Sequence, residues 1–239
     1  MNNFEEKWGE EFETLVDEVM EERAAGEPNA LISEDQMKER VREEVREILK
    51  FEKETKAVTH SIELLVQLGP SIFGQDRMNV IFDEIRHAGE VLIESSEEIA
   101  NSPEKTIEMI GVTEETINDI LKLAYRQYEQ ENWENAESLY LFLTILVPTN
   151  ADLWMCLGSA LQNQSKLLEA RECYTQATNL DGKDPHYPLY IAECFLFEGD
   201  LKSCEEWEEV GRIIAEEGER DDEVIEMFDA VKEALVAAA

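Results

Sequence analysis

Apolar residues recur three and four apart along almost the whole chain and nowhere alternate over the length of a strand, which predicts helix throughout. Phe4, Trp8, Phe12, Leu15, Val16 and Val19 make one amphipathic helix over residues 4–24, stopped by Gly26 and Pro28. Ser33 followed by Gln36 is a capping-box signature. The long helix it opens carries Met37, Val41, Val45, Ile48 and Leu49 and continues towards Leu68. Glu and Arg alternate on its other face and offer pairs one turn apart. Gly69-Pro70 is expected to end it. A third helix over Asp76–Ile99 presents Val80, Ile81, Ile85 and Leu92. Ser102-Pro103 reads as an N-cap with proline at the first helical position, and the short helix it starts breaks at Gly111. At the far end, Val224, Phe228, Val231 and Leu235 form the apolar face of a last helix, with Asp221, Asp222 and Glu223 at its positive end.

Between Thr113 and Gly218 the pattern repeats every 34 residues. Trp154, Leu157, Gly158, Ala170, Tyr174 and Ala177 have the spacing of a tetratricopeptide repeat. One period back, the frame meets Leu123, Ala124, Trp133, Ala136, Tyr140 and Pro148; one period on, it meets Ile191, Ala192, Gly199 and Cys204. The expected fold is all-α: a superhelix of three such repeats and a C-terminal capping helix, preceded by an N-terminal helical region. The expected organisation is an N-terminal extension over 1–75, a helical lead-in over 76–116, repeats over 117–150, 151–184 and 185–217, and a cap over 218–239. Each repeat is two antiparallel helices, A and B. Ala124, Gly158 and Ala192 at position 8, with Ala136, Ala170 and Cys204 at position 20, fall where A and B touch most closely.

Repeat units stack because none buries its apolar face alone, and the stack has a concave surface that suits extended polypeptide. Positions 2, 5, 9 and 12 of helix A line that surface. They are Asn118, Leu121, Tyr125 and Tyr128, then Asp152, Met155, Ser159 and Gln162, then His186, Leu189, Glu193 and Leu196. Apolar and aromatic positions suit a peptide's side chains, and polar ones its backbone. The competing reading packs Leu121 and Tyr125 against the N-terminal helices.

The net charge of -35 is shared about equally by the chain before and after residue 117. Nucleic acid and anionic membrane surfaces would be repelled, so neither is an expected partner. The four cysteines form no CxxC pair and read as small apolar side chains of a reducing compartment. No apolar run approaches 18 residues, so no membrane insertion is expected. The three histidines lack a ligand-spaced partner, and no phosphate-loop, HExxH or GxSxG motif occurs. No enzyme, metal or cofactor is expected.

The run Gly111-Val112-Thr113-Glu114-Glu115, then Leu121-Lys122-Leu123-Ala124-Tyr125-Arg126-Gln127-Tyr128 and Trp133-Glu134-Asn135-Ala136, resembles the opening of the class II type III secretion chaperones. Asp184-Pro185-His186-Tyr187-Pro188 and Ile191-Ala192-Glu193-Cys194 resemble the start of their third repeat. The resemblance covers about residues 88–217. It implies a protein of the bacterial cytoplasm that holds the N-terminal segment of hydrophobic translocator proteins in its groove and keeps them soluble before export. Carried over, the groove residues are Leu121, Tyr125, Tyr128, Trp133, Met155, Gln162, His186 and Leu189. The family also implies a homodimer formed through N-terminal helices, here through Phe4, Trp8, Phe12 and Leu15. The rival placement folds that stripe back on the helix from Ser33 to Leu68. Residues 1 to about 75 depart from the family, whose N-terminal arm is much shorter. A general tetratricopeptide scaffold joining other partners is the alternative function.

Overall fold

The period of the apolar positions is realised as helix after helix. The computed structural model describes residues 16–17, 34–218 and 222–238, and every regular element among them is helical. These are α1 (Glu34–Phe73), α2 (Gln75–Glu94), α3 (Ser96–Asn101), a 3-10 turn (Pro103–Lys105), α4 (Thr106–Ile110), α5 (Glu114–Glu129), α6 (Trp133–Leu146), α7 (Ala151–Asn163), α8 (Leu167–Leu180), α9 (His186–Glu198), α10 (Leu201–Glu217) and α11 (Asp222–Ala238). The chain forms two units, Met1–Lys56 and Ala57–Ala239, dividing within α1. In the first, Val16 and Val41 are buried and Lys38 pairs with Asp17 at 2.7 Å. Phe4, Trp8, Phe12, Leu15 and Ser33 lie outside the described residues.

In the second unit, Gly69-Pro70 does not end its helix. Pro70 lies inside α1, which stops three residues later at Phe73. The stop is Gly74, whose φ of 82° only glycine adopts without strain. Gly69 has a packing role instead: a Cβ there would lie 2.4 Å from Met78 Sδ. The helix expected over Asp76–Ile99 breaks at Ser95. Pro103 opens a 3-10 turn, and the Ser102 side chain accepts no capping bond.

Leu64, Leu65, Met78, Ile81, Ala88, Ile110 and Val112 are buried in the same core as Ile120, Leu123 and Ala124 of the first repeat. Polar bonds fix the orientation of this lead-in. Arg77 Nε donates to Asp119 Oδ2 at 2.7 Å, and its Nη2 to Thr116 Oγ1 at 3.0 Å. Glu84 accepts the Thr113 N–H at 2.9 Å. His60 Nε2 meets Asn135 Oδ1 at 2.8 Å.

From α5 onward each helix packs on the next, and α11 covers α9 and α10. The A-to-B turn is the same in all three repeats. Position 15 is left-handed each time, at Glu131 (φ 59°), Ser165 (φ 60°) and Gly199 (φ 79°). Its N–H donates to the carbonyl of position 12, and the next N–H donates to position 11. That is the Schellman pair of bonds, and it satisfies carbonyls the helix end would otherwise leave open. Within the second repeat, A and B approach so closely that a Cβ on Gly158 would lie 2.6 Å from a Tyr174 ring carbon. Cys204 fills position 20 of the third repeat, fully buried, as Ala136 and Ala170 do in theirs. Val224, Phe228 and Val231 bury the cap's apolar face.

Candidate groove for an extended peptide

Because position 12 of one A helix lies beside position 9 of the next, side chains at these two positions bond across each joint. Tyr128 Oη and Ser159 Oγ lie 2.6 Å apart, and Gln162 Nε2 donates to Glu193 Oε2 at 3.3 Å. Asn163 Nδ2 reinforces the first joint by donating to Tyr128 Oη at 3.0 Å. At the second, Tyr174 Oη donates to Gln162 Oε1 at 2.7 Å. A further cross-joint bond runs from Tyr187 Oη to Asp152 Oδ1 at 3.3 Å.

Six of the eight expected groove residues fall on the helix A stripe with side chains open or half-open. Tyr125 is 56% exposed and stands at the first position 9, with no preceding repeat to bond to. Leu121, Tyr128, Met155, Gln162 and His186 are half-buried. Polar groups expected to serve a peptide backbone are already partly engaged. Gln162 has its carbonyl and one amide hydrogen committed. His186 Nδ1 lies 2.6 Å from Asp184 Oδ1, the oxygen that also accepts the His186 N–H at 2.9 Å.

Two of the eight sit elsewhere. Leu189 is 0% exposed and packs with Val224 and Phe228 of α11. Gly211 makes room for that contact, since a Cβ there would lie 3.3 Å from Leu189 Cγ. The cap therefore consumes Leu189, and the groove loses it. Trp133 begins helix B, not A. Its ring meets Tyr128 edge-on at 4.8 Å, and it lines a recess of about 590 Å³ with Glu131, Asn132, Gln164 and Lys166 at the turn end of the first two repeats. Asn163 and Tyr190 were not legible as groove-forming from the stripe alone. Tyr190, at position 6, stacks on Tyr174 at 5.2 Å.

Burial raises the pKa of the Glu193 carboxyl, opposed by the Gln162 hydrogen bond. It pushes the Cys156 thiol up to about 11 and the Cys194 thiol to about 12, so both stay protonated near neutral pH and are poor nucleophiles. No group of three metal-ligating side chains occurs among the described residues. Nor is any described helix long and apolar enough to cross a membrane.

Helix pairs stacked in one register, with an open stripe along their A helices, define a tetratricopeptide-repeat array. The tetratricopeptide repeat family model matches residues 117–150 and 152–184. Among curated proteins, the chain is 28% identical over 101 residues to low calcium response locus protein H of Yersinia pestis, and equally to that of Yersinia pseudotuberculosis serotype I. The match takes in 42% of this chain and spans 60% of those relatives. Among solved structures, PcrH in complex with the chaperone binding region of PopD is 26% identical, with a TM-score of 0.50 over 53% of this chain and 96% of that one. A type III secretion complex from Aeromonas hydrophila, 20% identical, shares the fold with a TM-score of 0.54 over 61% of this chain and 95% of that one. The chain thus resembles the type III secretion translocator chaperones in both sequence and fold.

Proposed function

We propose that this protein is a non-enzymatic chaperone of type III secretion, which holds an extended segment of a hydrophobic translocator in its groove until export. The observation that carries this reading is the helix A stripe: an open aromatic, Tyr125, beside half-buried Leu121, Tyr128 and Met155, over a floor braced by hydrogen bonds. Solvent-facing apolar and aromatic side chains on a rigid floor bind extended peptide at little entropic cost. Support also comes from the similarity to PcrH, whose solved complex contains the chaperone binding region of PopD.

The protein acts by occupancy. It covers apolar client surface that would otherwise aggregate, and a net charge of -35 keeps the loaded complex dispersed. Its place is the bacterial cytoplasm, before export. It forms a homodimer through the stripe of Phe4, Trp8, Phe12 and Leu15.

Titration calorimetry of the full chain with a peptide spanning the chaperone binding region of PopD tests the groove. Tyr125→Ala is expected to lower affinity about thirtyfold, since an aromatic anchor is worth about 2 kcal/mol, with the helical spectrum unchanged. Equal affinity for wild type and a folded Tyr125→Ala protein would refute the groove assignment. Light scattering tests the dimer, and a monomer at tens of micromolar would overturn it.

A further inference from the structure

At the joint between the second and third repeats, the groove floor holds a carboxylate with half its bonding capacity open. Glu193 lies on α9 within the helix A stripe and is half-buried. Its Oε2 accepts one hydrogen bond, at 3.3 Å from the Gln162 amide. That amide cannot turn over to offer more, because its oxygen is held by Tyr174 Oη at 2.7 Å. Tyr174 is itself fixed, fully buried and stacked on Tyr190. Among the described residues, Glu193 makes no ion pair and its Oε1 has no hydrogen-bond partner.

A partly desolvated carboxylate with one long bond from a neutral amide is poorly compensated. Its raised pKa reports the same deficit. The groove stripe carries no permanent cation to remedy it. The twelve helix A positions include two carboxylates, Asp152 and Glu193, and no Lys or Arg. A cationic side chain of the ligand would supply the charge that the stripe's own permanently charged residues do not.

We propose that Glu193 is a specificity-determining residue of the groove, which receives the ammonium or guanidinium head of a Lys or Arg in the bound client segment. The proposal rests on the groove being a peptide site and adds the chemistry of one client position. Any peptide brings backbone N–H groups, but only a cation brings the charge this site lacks. The side chain of Lys or Arg also suits the surroundings, since its aliphatic stem can lie along a stripe that offers Met155 and Leu196. The field of a strongly acidic protein favours cationic segments on approach as well.

The test is a positional scan. The PopD chaperone-binding peptide is made with one Lys, norleucine or Glu walked through its sequence, and each peptide is titrated into wild type and Glu193→Gln. At one register, Lys is expected to bind about tenfold more tightly than norleucine, the order expected of a half-buried charge pair, and Glu more weakly than either. Glu193→Gln should bring the Lys-to-norleucine affinity ratio at that register to about one, whatever it does to the affinity for norleucine itself. In a second variant, Glu193→Lys, the preference should reverse in favour of the Glu peptide. Superimposable Lys and norleucine scans on wild type, with the peptides still bound, overturn the Glu193 proposal and leave the groove reading standing. Failure of every peptide to bind overturns the groove reading and this proposal together.

Discussion

Gly158→Ala adds one carbon at the tightest helix contact of the second repeat, so its effect can be worked from the structure. The new Cβ would lie 2.6, 2.8 and 3.0 Å from three ring carbons of Tyr174, where ordinary contact begins at 3.4 Å. Something must move by most of an ångström. The ring has little room, being 1% exposed, stacked on Tyr190 and bonded through its hydroxyl to Gln162. Overpacking of this kind costs about 1–3 kcal/mol. Losing the hydroxyl's hydrogen bond would add about 1 kcal/mol. Against these, alanine gains about 1 kcal/mol over glycine inside a helix. The net expectation is destabilisation by about 1–3 kcal/mol, a fall in melting temperature of roughly 3–10 °C for a chain of this size. Urea and thermal unfolding followed by far-ultraviolet circular dichroism would measure it. Tyr174→Leu supplies the control: in the double variant the clash is gone, so the alanine should cost far less than it does alone. Ala124 occupies the same position in the first repeat, and Tyr140 the position of Tyr174. If the second repeat could relax to that arrangement, Gly158→Ala would be neutral or stabilising, and the reasoning from the short contact would be wrong.

Glu131 and Ser165 hold the left-handed turn that Gly199 holds in the third repeat, so Glu131→Gly and Ser165→Gly should each stabilise by about 0.5–1 kcal/mol, and Gly199→Ala should do the reverse; chemical denaturation decides between them. For Glu193, whose pKa burial raises, the protonated form favours the fold. That contribution is present below the ordinary carboxylate range and lost as pH rises through the raised value. Glu193→Gln should therefore be more stable than wild type at neutral pH, with the gap closing on acidification, and a gap independent of pH would refute the assignment. Arg77→Leu should cost about 2 kcal/mol by stranding the buried Asp119 with only Lys122 as a partner, and Arg77→Leu/Asp119→Leu should recover most of it. A chain beginning at Ala88 would lack Leu64, Leu65, Met78 and Ile81, all within the core of the first repeat. It should melt well below one beginning at Ala57.

The repeats were legible because their signal is redundant. Small residues at positions 8 and 20 and tyrosines at position 24 recur in one frame, and each marks a contact that admits little else. The lead-in was less legible because its punctuation is ambiguous. Gly69-Pro70 has the form of a stop, yet Gly69 serves the approach of Met78 and the chain turns at Gly74. A sequence shows which residues permit a turn. Only packing decides which one is used. The left-handed turn at position 15 was hidden for a related reason, because two of its three residues, Glu131 and Ser165, are not glycine. Their strain is accepted to complete the Schellman bonds.

The groove shows where reading by position runs out. Helical geometry puts Leu121, Tyr125, Tyr128, Met155, Gln162, His186 and Leu189 on one stripe, but it cannot say what else competes for each. Leu189 is taken by the cap because α11 needs an apolar seat for Val224 and Phe228. Gln162 is taken by Tyr174 and Glu193, and Tyr128 by Ser159 and Asn163. Each residue so engaged gives up bonding capacity to brace its neighbours, and the floor becomes rigid in exchange. What remains open on the stripe includes an exposed phenol at Tyr125, half-buried aliphatic surface at Leu121 and Met155, and carboxylate oxygens at the exposed Asp152 and the half-buried Glu193. The ligand proposed for that set is an extended, mostly apolar segment with a cation at the far joint. The whole-chain charge of -35 could not have shown this. Among the described residues most carboxylates are exposed, whereas Glu193 is half-buried with a single long hydrogen bond.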